Sequence, residues 1–385
     1  NLCLDFDLGD REGTEKAMKE ADHVITLDLE NNRVTAVPIE PRGCVGSYDS
    51  ASGRYTLYNS TQNVHANRDT FAVNVLGIEK DKLHHIAPDV GGGFGSKTFH
   101  YAEEALVTWA AAQIGRPVKW CAERSESFMS DAHGRDHVTH AELALDADGK
   151  FIGLRANTLA NLGAYLSLRA PLPPIVNLGS LAGVYTTPAI RCEVQAVFTS
   201  TAPVDAERGA GRPEATFVVE RLVEKAAREL GIDPIELRRR NFVPADAFPY
   251  QTPVVVEYDS GDYETVLGKV TELANYDDLV KRRDELRAEG KLAGIGIATC
   301  LEPSGGNNLF EFLFNPKAEI STYMEGCQVR IDSVGNIVGT MGTTTSGQGH
   351  ETLVSTILGE ELQRDPDDIR VIHADSLAGL PTRSP

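Results

Sequence analysis

Apolar positions along this chain recur at two spacings, and the switches between them mark out helices and strands in mixed order. Thr14 to Asp22 reads as a short helix, and the alternating run Val24-Ile25-Thr26-Leu27-Asp28-Leu29 after it as a half-buried strand. Arg54 to Tyr58 predicts another strand, Val64 to Leu76 a helix, and Leu83 to Ala87 a strand running into Asp89-Val90-Gly91-Gly92-Gly93-Phe94-Gly95-Ser96-Lys97. In the helix expected over 98–114, Phe99, Ala102, Leu106, Trp109 and Ala110 fall on one apolar face. Residues 137–160 and 191–201 alternate as strands, with Asp146-Ala147-Asp148-Gly149 as a hairpin turn. A long helix starts at Pro213, where the missing N–H costs nothing, and runs to about Leu230; Asp233-Pro234-Ile235-Glu236 opens the next. Pro244 to Gly261 is turn-like. Beyond it come helices over 263–289, strands near 292–301, 317–323, 327–332 and 336–341, a helix over 350–363 and a strand from Ile369 to His373. The expected architecture is α+β in two domains, 1–245 and 262–385, with the proline-rich stretch between them.

A length of 385 residues fits two or three domains at roughly 150 residues each. The balance of 37 basic against 56 acidic residues gives a net charge of −19, which repels phosphate backbones and anionic lipid and so excludes a nucleic-acid binder. No apolar run reaches the ~20 residues that span a bilayer. The six cysteines are far apart with no C-x-x-C pair, which argues against zinc or iron–sulfur ligation by this chain and for a reduced, cytoplasmic setting. The chain begins at Asn1 and closes on a loop-like Leu380-Pro381-Thr382-Arg383-Ser384-Pro385, so it reads as a piece of something longer.

One device recurs three times: a glycine-rich turn leading to a helix N-terminus. It appears at Gly91 to Lys97, at Arg208-Gly209-Ala210-Gly211-Arg212 before Pro213, and at Gly342 to Gly349 before His350. Exposed N–H groups and the helix dipole favour an anion there, and glycine admits close backbone approach. Three such turns point to a large, phosphate-bearing ligand. Standard nucleotide loops fail, because Ser96 stands where a Walker A loop or a dinucleotide fingerprint starting at Gly91 needs glycine.

Arg208 and Arg212 fit either a ligand or surface bridges to Asp205, Glu207 and Glu214, and Gln62 taken alone reads as a capping or turn residue. His133, His137 and His140 read as structural, since strand geometry sends residues three apart to opposite faces, and His84-His85 diverge likewise. Glu103-Glu104 and Glu360-Glu361 read as solvated helix faces. Among readings of the residues alone, an ATP-binding use of Lys97 and a non-catalytic cofactor-binding or assembly module both stay open.

In these loops the sequence resembles the large, molybdenum-binding subunit of the xanthine oxidase and aldehyde oxidase family, most nearly the aerobic carbon monoxide dehydrogenase large-chain group. The resemblance is carried by Thr61-Gln62-Asn63, Pro88 to Lys97, Arg208 to Ala215 and Gly347-Gln348-Gly349-His350, with Glu229 to Pro234 and Arg240-Asn241 in support. It implies two molybdopterin-binding domains, the second incomplete, and a molybdenum–molybdopterin cofactor in its cytosine dinucleotide form. By that likeness Gln62 hydrogen-bonds an oxygen at molybdenum, Gly93, Phe94 and Gly95 line the metal and Arg208 sits beside it. Gly347, Gln348, Gly349 and His350 contact the pterin, and no side chain ligates the metal directly.

The resemblance also implies hydroxylation of an aldehyde, an N-heteroaromatic or a related small molecule with water-derived oxygen, assisted by a glutamate base. Electrons leave to an iron–sulfur [2Fe-2S] small subunit and an FAD medium subunit, in a dimer of heterotrimers. Several positions depart from the family. The glutamate base belongs to a motif beyond Pro385, so residues 1–385 alone are expected to be inactive. Gly209 replaces the copper-binding cysteine of strict carbon monoxide dehydrogenases, so copper is not expected and CO oxidation stands as an alternative only. Glu207 replaces an aromatic residue. At the substrate positions, Thr98 replaces the acidic residue of purine hydroxylases and Ala210 their stacking phenylalanine, which argues against xanthine.

Overall fold

The computed structural model describes residues 1–254, 256–302 and 326–378. The chain opens with β1 (Leu2–Gly9), α1 (Arg11–Glu20), β2 (His23–Asn31), β3 (Gly43–Asp49), β4 (Arg54–Asn59) and α2 (Val64–Asp69). The helix predicted over Val64 to Leu76 thus changes pitch, because Thr70–Leu76 continues as a π-helical turn before β5 (Leu83–Ile86). Next come α3 (Ala102–Ile114), β6 (Val118–Cys121), α4 (Arg124–Ser130), β7 (His137–Leu145), β8 (Phe151–Gly163), α5 (Leu172–Ser180) and β9 (Ile190–Phe198). They are followed by α6 (Arg212–Leu230), α7 (Pro234–Asn241), β10 (Tyr250–Gln251), β11 (Glu257–Tyr258), α8 (Tyr263–Leu273) and α9 (Tyr276–Ala288). The last described stretch holds β12 (Cys327–Ile331), β13 (Ile337–Met341), α10 (His350–Leu362) and β14 (Ile369–Ile372). The architecture is α+β, and no described helix is long and apolar enough to cross a membrane.

A five-stranded sheet, β1-β9-β8-β7-β2, forms the main core; only its β8–β9 pair is parallel. Alternation along β8 separates its faces. Gly153 and Arg155 face α1, where Arg155 pairs with Glu15 at 2.8 Å, while Leu154 meets Val219, Leu222 and Val223 of α6 on the other side. Helix α6 presents Ala215, Val218, Leu222 and Ala226 inward at three- and four-residue spacing, which fixes its N-terminus at the rim of the sheet.

A second sheet, β5-β4-β3-β6, carries α3, and here the sequence reading needs correcting. Leu106 and Trp109 are 59% and 51% exposed, whereas Glu104, Val107, Thr108 and Ala111 are buried. The helix begins at Ala102 rather than 98, and β3 lies against its backbone: a Cβ on Gly46 would sit 2.5 Å from the Val107 carbonyl oxygen. That approach selects small and polar residues on the inner face in place of the large apolar ones.

Glu104 is therefore no solvated carboxylate, being 3% exposed. Burial pushes it up to about 8, against the pull of the Asn59 amide and the Arg42 guanidinium. Its folded value lies above the ordinary value of 4.5, so between the two the folded protein holds an extra proton and stability falls as pH rises. The slope is about 1 kcal/mol per pH unit. Glu104→Gln is expected to remove this slope, leaving the variant more stable than the parent at pH 8 and close to it at pH 5. Parallel denaturation midpoints across that range would contradict the assignment.

The strand expected near 292–301 is also absent as a ladder. Its residues alternate between half-buried and exposed, but it pairs with no described strand and is held by side chains instead. Arg238 Nη2 donates to the Ile297 carbonyl at 2.8 Å and Thr299 Oγ1 donates to Glu220 at 2.6 Å. The strand expected near 317–323 lies outside the described residues. In the last sheet, β12-β13-β14, α10 makes the crossover between the parallel strands β13 and β14. The chain after β14 then returns to β5. Ala87 N donates to Ala374 O at 2.9 Å, Ser376 N to His85 O at 3.0 Å, and His84 Nε2 lies 2.7 Å from Asp375 Oδ1. This return sets the β13–α10 loop beside the loop that follows β5.

Candidate functional site

The first glycine loop is built around Gln62. Its Oε1 accepts from Gly95 N at 2.9 Å and Lys97 N at 3.3 Å, while its own backbone N–H donates to Lys97 O at 2.9 Å. The capping role expected of Gln62 belongs instead to Asn63, which accepts from Ala66 N. With its oxygen engaged by N–H donors, Gln62 keeps Nε2 as a donor bonded to no described residue. Gly93 must be glycine for this packing, since a Cβ there would lie 2.3 Å from Gln62 Oε1. Unlike the reading from sequence, this loop does not feed a helix directly: residues 98–101 turn first, and Thr98 is buried with its N–H on Gly95 O at 3.1 Å.

Lys97 corrects the nucleotide reading. Its ammonium is buried and donates to Glu40 Oε2 at 2.8 Å, and the same oxygen accepts from Gly91 N at 2.7 Å. Burial lowers the lysine's affinity for its proton and Glu40 opposes that. The lysine ties the loop to residues 38–40 and is not aimed at a phosphate.

The second loop docks on the first. Arg208 N donates to Phe94 O at 2.9 Å, and the Arg208 guanidinium carbon sits 4.9 Å from the centre of the Phe94 ring, within cation–π range. Its guanidinium hydrogen-bonds to no described residue. The surface bridges entertained for Arg208 and Arg212 are made by other groups: Arg135 pairs with Glu207 at 2.9 Å and Glu214 at 3.3 Å, and Arg212 pairs with Glu302 at 3.3 Å. Gly209, Ala210 and Gly211 run consecutively through positive φ, at 98°, 45° and 101°, and Gly211 caps α6, which starts one residue before the expected Pro213. Ala210 is half-buried on this turn.

The third loop completes the cluster. Gly92 N donates to Ser346 O at 3.2 Å, and a Cβ on Gly347 would come 3.9 Å from Val90 O. Gln348 is exposed, and its Oε1 accepts from Ser346 N. Gly349, at φ 75°, caps α10, whose first residue is His350. Thr343 Oγ1 and His350 Nδ1 are buried with no hydrogen-bond partner among the described residues. Gln62, Gly93, Phe94, Gly95 and Arg208 therefore meet around one junction, and the third loop, with its Gly347–His350 turn, reaches it through the Gly92 N to Ser346 O bond.

The donor set here consists of an arginine, an amide N–H2, two helix N-termini and backbone cradles that a Cβ would fill. That set suits a polyanionic group with planar parts. Among the described residues, no group of three or more His, Cys, Asp or Glu is placed to hold a metal ion. His137 is buried and His140 faces the other side of β7, on Asp28 at 2.7 Å. Sequence reading missed Glu40 and Arg135, which hold the loops from distant positions. The only local signal was the compact Gly134-Arg135-Asp136 turn.

Comparisons with known proteins agree with this chemistry. Residues 1–242 and residues 269–382 each match a family described as molybdopterin cofactor-binding domain. The chain is 34% identical over 384 residues to the carbon monoxide dehydrogenase large chain of Hydrogenophaga pseudoflava, covering 98% of this chain and 47% of that protein. It is 33% identical over 368 residues to the 6-hydroxypseudooxynicotine dehydrogenase complex subunit gamma of Paenarthrobacter nicotinovorans, covering 94% and 44%. Among solved structures, quinoline 2-oxidoreductase from Pseudomonas putida 86 superposes with a TM-score of 0.92 at 29% identity, covering 99% of this chain and 48% of that one. The chain thus spans about half the length of the curated relatives it matches.

Proposed function

The chain belongs to the xanthine oxidase family of molybdenum hydroxylase large subunits, close to the carbon monoxide dehydrogenase large chains, and from this premise we propose that the three-loop junction is the cofactor site of a hydroxylase. What carries the reading is the pair of donors without described hydrogen-bond partners, Gln62 Nε2 and the Arg208 guanidinium, set on loops that are otherwise tied to one another. When bound, a molybdenum–molybdopterin group would supply the two-electron chemistry of hydroxylation with water-derived oxygen.

Gln62 Nε2 would donate to an oxygen of that group, Gly93, Phe94 and Gly95 would close around it, and Arg208 would offset negative charge that grows on the substrate. The Gly347–His350 turn and Thr343 Oγ1 hold the pterin. The α6 and α10 N-termini favour the phosphates of a cytosine dinucleotide form. At the substrate side, Thr98 and Ala210 place neither a carboxylate nor an aromatic ring, which fits an aldehyde or a non-purine N-heteroaromatic compound better than xanthine. Gly209 offers no thiol, so the reaction proceeds without copper. An iron–sulfur and an FAD subunit take the electrons, within a cytoplasmic dimer of heterotrimers, and residues 1–245 and 262–385 form the two cofactor-binding units.

Removing a charge-assisted contact of this kind costs about 1.5–3 kcal/mol, so Arg208→Ala in the full-length enzyme is expected to lower kcat at least ~10-fold. The check is turnover against a panel of aldehydes and N-heteroaromatics, normalised to molybdenum per protomer. Turnover and molybdenum at parental levels would take Arg208 out of the site. A full-length protein purified with no molybdenum would favour the non-catalytic module.

A further inference from the structure

Resting on that reading, we propose that Arg135 is the positioning residue for Arg208, fixing its backbone and keeping its charge available to the ligand. Arg135 Nη1 donates to Glu207 O at 2.7 Å and Nη2 to Arg208 O at 2.8 Å, so one guanidinium spans two successive carbonyls of the second loop. On its other side Phe94 O takes the Arg208 N–H. Arg208 is thereby gripped at both of its peptide groups, while its side chain stays exposed over Phe94.

The same guanidinium answers two carboxylates. It pairs with Glu207 and with Glu214, whose Oε2 also accepts from Gly211 N at 2.9 Å. Glu207 is the neighbour that otherwise competes for Arg208; burial raises its carboxyl above the ordinary value, and both arginines oppose that by favouring its charged form. With Arg135 in place the carboxylate has a buried partner of its own. Without it, Glu207 becomes the nearest counter-ion for Arg208 and draws that guanidinium away from any bound anion. Lysine cannot substitute, because a single ammonium has no planar fork to reach two carbonyls and two carboxylates together.

The backbone around Arg135 is shaped for the task. Arg135 and Asp136 both have positive φ, 65° and 69°, a conformation that side-chain-bearing residues avoid unless their surroundings hold them. Those surroundings are present: Asp136 Oδ2 accepts from Arg33 Nε at 2.9 Å and Asn161 Nδ2 at 2.8 Å, and Gly134 exchanges two backbone bonds with Val34. A Cβ on Gly134 would lie 2.3 Å from the Glu207 Cβ, so this segment must run directly beneath the loop.

The test uses full-length protein carrying Arg135→Lys or Arg135→Ala, with and without its cofactor. Amide exchange over residues 205–211, followed by mass spectrometry, is expected to be at least ~10-fold faster in both variants than in the parent, whether loaded or cofactor-stripped forms are compared. In loaded enzyme kcat is expected to fall ~10-fold or more with KM and molybdenum content within about twofold, and added guanidinium ion to restore part of both losses in Arg135→Ala. Unchanged exchange at 205–211 would overturn the proposal. So would a uniform loss of protection through β7 and β8, or failure of both variants to fold, since Arg135 would then support the whole sheet. A parent protein without molybdenum would refute the hydroxylase reading alone, because the exchange measurement still decides the role of Arg135.

Discussion

Glu220→Ala is expected to lower the stability of the protein by about 3–5 kcal/mol, the range for removing one partner of a buried ion pair. Arg238 is fully buried, and Glu220 Oε2 accepts from its Nε at 3.0 Å and its Nη2 at 2.8 Å. Glu220 Oε1 accepts from Tyr185 and from Thr299, both at 2.6 Å. One carboxylate thus joins α6, α7, the turn before β9 and the extended segment around 299. Removing it leaves a buried guanidinium with two carbonyls and a 3.6 Å approach to Glu224 as its remaining contacts. Burial holds the Tyr185 hydroxyl well above its usual range even without the Glu220 carboxylate that adds to the effect, so the phenol stays neutral and cannot replace the lost charge. The measurement is a denaturant midpoint, with an unchanged slope showing that stability rather than compactness has moved. Combining Arg238→Met with Glu220→Leu is expected to recover much of the loss, because the uncompensated charge goes as well. A Glu220→Ala midpoint within about 1 kcal/mol of the parent would mean that water or Glu224 already satisfies Arg238.

How far the sequence could be read depends on what each signal encodes. Period-2 and period-3.6 patterns located α1, β2, β4, α2, β5, β7, β8, β9, α6 and α7, because burial on one face is what those patterns record, but they passed over β1, β3, β6, α4 and α5. They misjudged α3, where the buried face is chosen by Gly46 on a strand more than 50 positions earlier, and no local window contains that information. They also assigned a strand near 292–301: the alternation exists, but a ladder needs a partner and the segment is anchored through Ile297 and Thr299 instead. The three glycine turns could be read as anion cradles since a Cβ-free backbone is visible in the letters. Their convergence could not. It depends on Arg208 N reaching Phe94 O and on Ala374 and Ser376 pairing with Ala87 and His85, the latter almost 300 positions apart. Long-range supports such as Arg135 and Glu40 are invisible for the same reason. The family resemblance placed Gln62, Phe94 and Arg208 together before any geometry was known, and the geometry then explains why glycine is needed at 93 and 95.

Gly95→Ala is expected to have the largest effect on the cofactor site. Gly95 has φ +104°, a region that L side chains avoid, and a Cβ there would sit 2.4 Å from Ala206 O and 3.1 Å from the Glu207 Cα. Both obstacles are backbone, so neither can rotate away as a side chain would. Backbone strain and overpacking together amount to about 2–4 kcal/mol, and the relaxation that relieves them pushes the first loop off the second. That motion stretches the Arg208 N to Phe94 O bond and the Gln62 Oε1 to Gly95 N bond, the two links that set the donors of the junction. Full-length Gly95→Ala is therefore expected to be purified with molybdenum reduced ~10-fold or more, while its secondary structure by circular dichroism matches the parent. Gly53→Ala is the matched control: its φ is also positive, +68°, but a Cβ there meets nothing within 4 Å. It carries the conformational cost of about 1 kcal/mol without the collision. Equal cofactor loss in both variants would mean that strain anywhere in this sheet lowers occupancy. Loss confined to Gly95→Ala would tie occupancy to the contact between the first two loops.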